Sequence, residues 1–530
     1  MTVSSTLPRP AQVRTPVSAP RRLPDLRERL SRVDPLVPLL CALATALYVM
    51  HGFHGYLSRD LADYSYGGQQ VAEGVPPYVA IINRAGPLAH LIPGIGALLS
   101  RWIGVDDVVG MRVFLMLFAV ASIAVTYLLG RDVFRSRLAG VAAAATLLGC
   151  QGFIAYASDG PREKTSMVLF LLCAILAMVH QRWLAVGFFT ALATLTWQPV
   201  FFVAIAGAVA AVRLGLPAGR GKALLRVAVG GLVPSAVTVG AYAVVGALQI
   251  FVDDFVLINA RYTRQSSLVT EPGAVWRMLT EGYGASLWLF LAGLVAITVL
   301  AVGALRGRPG LPDQRRVHLV TAGAMLVAGL AWSVLAFNGF PDAFILLPSA
   351  ALGIGGAVAV LASRLSVRVA LVATVAWTLV ATALGATYAL STRSDTLDDQ
   401  RRSVDAVMDL LPPDARILSV EAPQPLVLAD ERNLSRLQQF GNGLIDYVDD
   451  TWPGGSEGYG RWVGRRSPTL IAVGNGGTVP SWLAPTVDGS YRHVGTTIGW
   501  DWYVSDDVAG GTRRALRQAV RDTYVPADEL

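Results

Sequence analysis

Asp60 and Asp63 stand three residues apart in the stretch HGYLSRDLADYSYGGQQVAEGVPPYVAIINRAGPL, which follows a first apolar run. Tyr64 comes next, then a GVPPY turn at 74–78 and an RAGPL turn at 84–88. On a surface helix this spacing puts the two acids on neighbouring faces. A second charged stretch, SDGPREK, supplies Asp159, Arg162, Glu163 and Lys164. One carboxylate could take a proton from an attacking hydroxyl group. Another could orient the nucleophile or ligate a divalent cation, Mg or Mn, through oxygen. The residues name no cofactor and leave metal dependence open; if a divalent cation binds, Asp60 and Asp159 are its ligands. Arg84, Arg162, Lys164, Arg261 and Arg264 are available for a phosphate, whose oxygens suit a guanidinium fork.

Each of these side chains also has a plain structural role to fill. Asp159 can serve as a helix N-cap or first-turn charge before Pro161. Glu163 and Lys164 can anchor a helix end in the head-group zone. Arg261 and Arg264 can contact anionic lipid, and Asp253 and Asp254 read as surface residues. Trp197, Trp276 and Trp288 read as interfacial anchors at span ends. The six histidines are scattered without metal-ligand spacing. No Walker motif, no G-x-S-x-G in a strand–turn–helix setting and no C-x-x-C pair occurs.

The elements that must position these groups are membrane helices. Of 530 residues, 53% are hydrophobic and only 15% charged. With a mean hydropathy of +0.49, that is the composition of a polytopic membrane protein. Lys164 and Lys222 are the only lysines, so arginines carry the net charge of +7. They fall in clusters between apolar spans, which suits membrane orientation and not nucleic acid. Cys41, Cys150 and Cys173 lie inside apolar runs and read as free thiols. The Pro- and Arg-rich start lacks the apolar core of a signal peptide.

Apolar spans are expected at 36–53, 108–130, 138–156, 165–181, 183–196, 199–212, 225–247, 285–304, 317–336, 344–362 and 369–390. The stretch 86–104 decides the topology. It carries Pro87, His90, Pro93 and Arg101, and reads as an interfacial or re-entrant helix. The arginine clusters then all fall on the cytoplasmic side. The fold expected is an all-α bundle of about eleven spans in the cell membrane, with a cytoplasmic tail over 1–35 and the N-terminus inside. Four loops face outward: 54–107, that around Asp159, 248–284 and that around Asp342. After Leu390, helix-like and strand-like pieces alternate (DQRRSVDAVMDLLP, RILSVEA, PTLIAVG, YRHVGTT, WDWYV), predicting a small extracytoplasmic α/β domain over 391–510 and a tail over 511–530.

In this arrangement the chain resembles the GT-C class of membrane glycosyltransferases, in its protein-mannosyltransferase-like branch. That branch carries, in its first outer loop, an Asp, a Tyr four residues on, a G-x-P-Y turn and a basic-x-P-P-L segment. Asp60, Tyr64, GVPPY and RAGPL occupy those places. A second outer acid about a hundred residues later matches Asp159, with Glu163 close by, and FPDAFILLP at 340–348 resembles the late loop feeding a span. Leu61 stands where many relatives have a second acid, RAGP replaces basic-x-P-P, and Asp342 stands where several carry His. The resemblance covers roughly 36–390. It implies a sugar taken from a polyprenyl-phosphate donor on the outer face and transferred with inversion to a glycan, lipid or protein acceptor. Asp60 would be the base and Asp159 its assistant. Tyr64 and Tyr78 would shape the loop, and Arg84, Arg261 and Arg264, by charge and side, would bind the lipid phosphate. The remaining charged residues, Asp63, Arg162, Glu163, Lys164 and Asp342, would contact substrate. A transporter of lipid-linked material would instead show inverted repeats and ionisable groups at mid-bilayer. A non-catalytic assembly protein would tolerate loss of Asp60.

Overall fold

The computed structural model describes residues 34–264, 267–307 and 313–524. Most of the tail assigned to 1–35, and the last six residues, lie outside them. In a bilayer each backbone N–H must find a carbonyl within its own segment, so apolar stretches become helices. All eleven stretches are helical: Leu36–His51, Asp107–Phe134, Arg137–Leu148 with Gln151–Ser158, Glu163–Val179, Trp183–Thr196, Val200–Gly215, Arg220–Val244, Leu287–Leu305, Asp313–Leu335, Leu347–Arg364 and Val367–Ser391. Length and composition alone vouch for six spans among the described residues, or seven if the pair Arg137–Leu148 and Gln151–Ser158, bent by 68°, counts as one. Large apolar side chains such as Leu225, Leu232, Val237, Val372 and Leu379 point outward, as lipid-facing residues do.

One end of the bundle is tied by Asp34. Its carboxylate accepts from the Tyr127 hydroxyl at 2.7 Å, from Arg137 at 3.1 Å and from Arg131 at 3.5 Å. The opposite end carries two further helices from the first long loop. Arg59–Ala72 begins at Ser58, whose Oγ accepts the Leu61 N–H. Leu88–Ile103 has 16 residues with Pro93 inside, about 24 Å at the usual rise and short of a bilayer core. The two helices pack closely because Gly67 faces His90; a Cβ at Gly67 would lie 1.9 Å from the imidazole Nδ1. Ile95, Leu98, Leu99, Trp102 and Ile103 stay exposed on Leu88–Ile103, which suits a helix lying along a membrane surface.

The C-terminal part is a small α/β domain, as its alternating pieces predict. Its sheet has the order β1-β2-β4-β3, with β1 Ile417–Val420, β2 Leu470–Val473, β3 Tyr491–Thr497 and β4 Trp500–Ser505. β1 and β2 run parallel, and the other two pairings are antiparallel. The tail assigned to 511–530 is corrected: Gly510–Asp522 is a helix that buries Leu516 and Val520 and packs on β3 and on Thr396–Met408. An apolar pair four residues apart makes a narrow stripe, easily lost among arginines.

The domain is docked on the loop helices. Leu57, Leu61, Tyr66 and Met111 share a buried core with Leu397, Val404, Trp500 and Trp502. Ile82 and Ile258 share another with Leu418, Val420 and Tyr459. Gln400 brackets Leu57, accepting its N–H at 2.9 Å and donating to its carbonyl at 3.1 Å. Asp254 is corrected from a surface residue: it is fully buried, bound to the Arg436 guanidinium and to the Asn83 N–H.

Arg112, at the head of Asp107–Phe134, is fully buried. It donates to the carbonyls of Phe53 at 2.7 Å, Gly55 at 2.9 Å and Gly160 at 3.0 Å. It thereby fixes the chain just before Asp60 and just before Arg162. Arg112→Met would leave three buried carbonyls without donors, at about 1–3 kcal/mol each. Thermal unfolding in detergent should show a loss of several degrees, and an unchanged transition would refute the clamp.

Candidate active site

The four loops assigned to the outer face converge at the end bearing the C-terminal domain. They surround a cavity of about 520 Å³. Arg59–Ala72 contributes Arg59, Asp60, Asp63 and Tyr64; the turn after it contributes Asn83 and Arg84. The start of Glu163–Val179 brings Arg162, Glu163 and Lys164, and the loop before Leu347–Arg364 brings Asp342. Trp197, Gln198, Asn259 and Trp332 complete the walls, and Gln439 and Asn442 of the C-terminal domain form the roof.

Charge is paired throughout. Asp60 Oδ2 accepts from Arg162 Nη1 at 2.7 Å, and Oδ1 accepts from Arg59 Nη2 at 3.2 Å. The Arg162 guanidinium also meets Glu163 at 3.2 Å and lies over the Tyr64 and Tyr156 rings, 5.5 Å from each centroid. Lys164 bridges Glu163 at 2.5 Å and Asp342 at 3.1 Å, above the Trp197 ring. Arg84 differs, for its Nη2 donates to the carbonyls of Gly441 at 3.0 Å and Asn442 at 2.7 Å. Among the described residues it makes no salt bridge, so its charge faces the cavity unneutralised. Burial pushes its pKa down to about 10, which leaves it charged at neutral pH.

The two neighbouring aspartates are driven apart. The Arg162 guanidinium, aided by Arg59, holds Asp60 far below the usual carboxylate range. Burial, with the Asp60 charge beside it, pushes Asp63 well above that range. Asp63 is 1% exposed, and its Oδ1 is shut from solvent without a hydrogen-bond partner. The two acids are therefore pushed in opposite directions, the kind of division that acid–base sites exploit.

Eight of the twelve residues singled out from sequence line this cavity: Asp60, Asp63, Tyr64, Arg84, Arg162, Glu163, Lys164 and Asp342. Asp159 does not. It follows the bent helix Gln151–Ser158 and lines a separate cavity with Tyr56, Ser58 and Thr396. There it lies 3.8 Å from His51 Nε2 and near Arg112, and burial raises its pKa. The second acid that meets Asp60's network is Glu163, four residues on. Tyr78 lies beneath the loop, fully buried, its hydroxyl donating to the Ala85 carbonyl at 2.6 Å. Arg261 is exposed outside the cavity, and Arg264 pairs with Asp446 at 2.6 Å on the surface. Asp60 and Asp159 line different cavities and do not fit a shared divalent cation. Among the described residues no group of three or more His, Cys, Asp or Glu is placed to hold a metal ion.

Sequence reasoning passed over Arg59, Gln198, Asn259 and the roof. Arg59 adjoins Asp60 and was open to notice. Gln439 and Asn442 lie in a loop without any signal, and only the docked domain brings them in. Trp197, read as an interfacial anchor, is a cavity wall.

No family model matches the sequence, and no curated protein matches it. Among solved structures the chain is similar to ArnT from Cupriavidus metallidurans in the apo state, with a TM-score of 0.58 and 11% identity over 93% of this chain and 99% of that one. The same protein bound to undecaprenyl phosphate gives 0.57 and 13% over the same shares. The chain thus has the GT-C fold expected from its sequence. The likeness is one of fold and does not single out the protein-mannosyltransferase-like branch.

Asp63 also gives a pH test. Its folded-state pKa lies above that of an unfolded aspartate, so its stabilising contribution is complete below about pH 4 and is lost as pH rises through the folded value. Asp63→Asn cannot ionise and escapes that loss. Its melting temperature relative to the unaltered protein should climb as pH rises above about 4; a constant difference would show that folding does not raise the Asp63 pKa.

Proposed function

We propose that the protein is a membrane glycosyltransferase that moves a sugar from a polyprenyl-phosphate donor to an acceptor hydroxyl on the extracytoplasmic face, with inversion. The observation that carries this reading is one cavity at the loop end of a GT-C bundle holding Asp60, Glu163, Arg162 and the carboxylate-free Arg84 together. The fold relative solved with undecaprenyl phosphate makes a polyprenyl phosphate the natural donor class.

The donor phosphate sits against Arg84, which the neutral carbonyls of Gly441 and Asn442 hold in place while leaving its charge free for an anion. Asp60 takes the proton of the acceptor hydroxyl. The hydroxyl oxygen attacks the anomeric carbon, and the bond from that carbon to the phosphate oxygen breaks. The electron pair leaves with the polyprenyl phosphate, whose growing charge Arg84 and Arg162 stabilise. Glu163 and Lys164 keep Arg162 in place. Acceptors of this chemistry are glycans, lipids or proteins bearing a free hydroxyl.

Membranes carrying the protein, supplied with radiolabelled polyprenyl-phosphate mannose or arabinose, should transfer label to an endogenous acceptor. Asp60→Asn should lower that transfer by more than about a thousandfold while leaving the amount of folded protein unchanged. Turnover near that of the unaltered protein would remove Asp60 as the base. A reporter fused after residue 137 should be cytoplasmic and one fused after 390 external; the opposite at either point overturns the threading and places the cavity on the wrong side.

A further inference from the structure

Glu421 belongs to the C-terminal domain, yet its carboxylate enters the cavity's charge network. It directly follows β1 and is 5% exposed. Its φ is +56°, a left-handed backbone that a residue with a side chain adopts only when its surroundings hold it there. Its own N–H donates to the Gln438 carbonyl at 2.7 Å. The two carboxylate oxygens then divide. Oε1 accepts the N–H groups of Phe440 at 2.6 Å and Gly441 at 2.8 Å. Oε2 accepts Arg59 Nη1 at 2.6 Å.

Both contacts lead straight to groups the transfer reaction needs. Gly441 and Asn442 are the residues whose carbonyls orient Arg84. Arg59 is one of the two guanidiniums on Asp60, and its bond to Glu421 is shorter than the 3.2 Å bond to Asp60. A base gripped by two full cations is a poor proton acceptor. A guanidinium shared with a second carboxylate grips less.

We propose that Glu421 is a positioning residue of the site: its Oε2 draws Arg59 off Asp60, and its Oε1 holds the 440–442 strap that sets Arg84. The proposal rests on the glycosyltransferase reading and makes the docked C-terminal domain part of the reaction centre. Replacing one oxygen separates the two roles. Glu421→Gln keeps an oxygen for the strap but turns an amide toward Arg59, which then settles on Asp60. Glu421→Ala removes both contacts.

The measurements are transfer from a radiolabelled polyprenyl-phosphate sugar and binding of undecaprenyl phosphate, followed by the fluorescence of Trp197 and Trp332. Glu421→Gln should lower kcat about tenfold, with the donor KM and undecaprenyl phosphate affinity held within about threefold. Glu421→Ala should in addition weaken undecaprenyl phosphate by more than about tenfold. Adding Arg59→Met to Glu421→Gln should restore kcat to that of Arg59→Met alone, a rescue that a purely structural glutamate would not give. Equal loss of affinity in the Gln and Ala variants, unaltered kinetics in both, or absence of the rescue overturns the proposal. If Glu421→Ala does not fold, the Gln variant with and without Arg59→Met decides the matter. Unaltered protein that neither binds undecaprenyl phosphate nor transfers sugar refutes the glycosyltransferase reading itself; with both present, the variants bear on Glu421 alone.

Discussion

Asp60 lies between two guanidinium groups, and much of the surrounding architecture follows from keeping them there. A carboxylate in a partly enclosed cavity is costly unless paired, and buried partners are costly unless paired in turn. Asp60 is bound to Arg162 and Arg59, Arg162 to Glu163, Glu163 to Lys164, and Lys164 to Asp342. The chain of charges crosses from the first loop to the start of Glu163–Val179 and on to the loop before Leu347–Arg364. Three separate stretches of the sequence, 59–60, 162–164 and the loop at 342, supply its members, so the network closes only when the bundle is packed.

Packing is arranged to hold that closure. Arg112 spends its donors on the backbone just before Asp60 and just before Arg162, so both ends of the principal ion pair rest on one side chain. Gly67 lets Leu88–Ile103 lie tightly against Arg59–Ala72, the helix that carries Asp60. From above, contacts of Gln400, Asp254 and Glu421 fasten the C-terminal domain to two of the outer loops, 54–107 and 248–284. The soluble domain is therefore less an appendage than the fourth wall of the cavity.

The parts legible in the sequence were those written in local patterns. Apolar runs located a helix at each of the eleven expected stretches, and the run at 86–104 likewise forms a helix, with Pro93 inside it. The first loop gave Asp60, Tyr64 and Arg84 because a helix start and two turns fix them relative to one another. Asp159 misled because helix phase, not distance along the chain, decides which acid faces a cavity. Gln151–Ser158 ends at Asp159 and turns that carboxylate toward His51, whereas Glu163 opens the next helix beside Arg162. Arg264 was taken by a nearer acid, Asp446. Glu421 was beyond reach, since its role depends on a left-handed backbone and on a partner more than three hundred residues away.

The roof of residues 439–442 has a consequence for side reactions. A glycosyl phosphate is an energy-rich ester that any water molecule could cleave, given a base and a cation to stabilise the departing phosphate. A cavity that speeds attack by an acceptor, as proposed for this one, would speed hydrolysis too if it stood open. With Arg84 bonded to Gly441 and Asn442, the cover is latched by the very group proposed to receive the phosphate. On the glycosyltransferase reading, a roof tied to the arginine that orients the donor would shield the anomeric carbon of a seated donor from water.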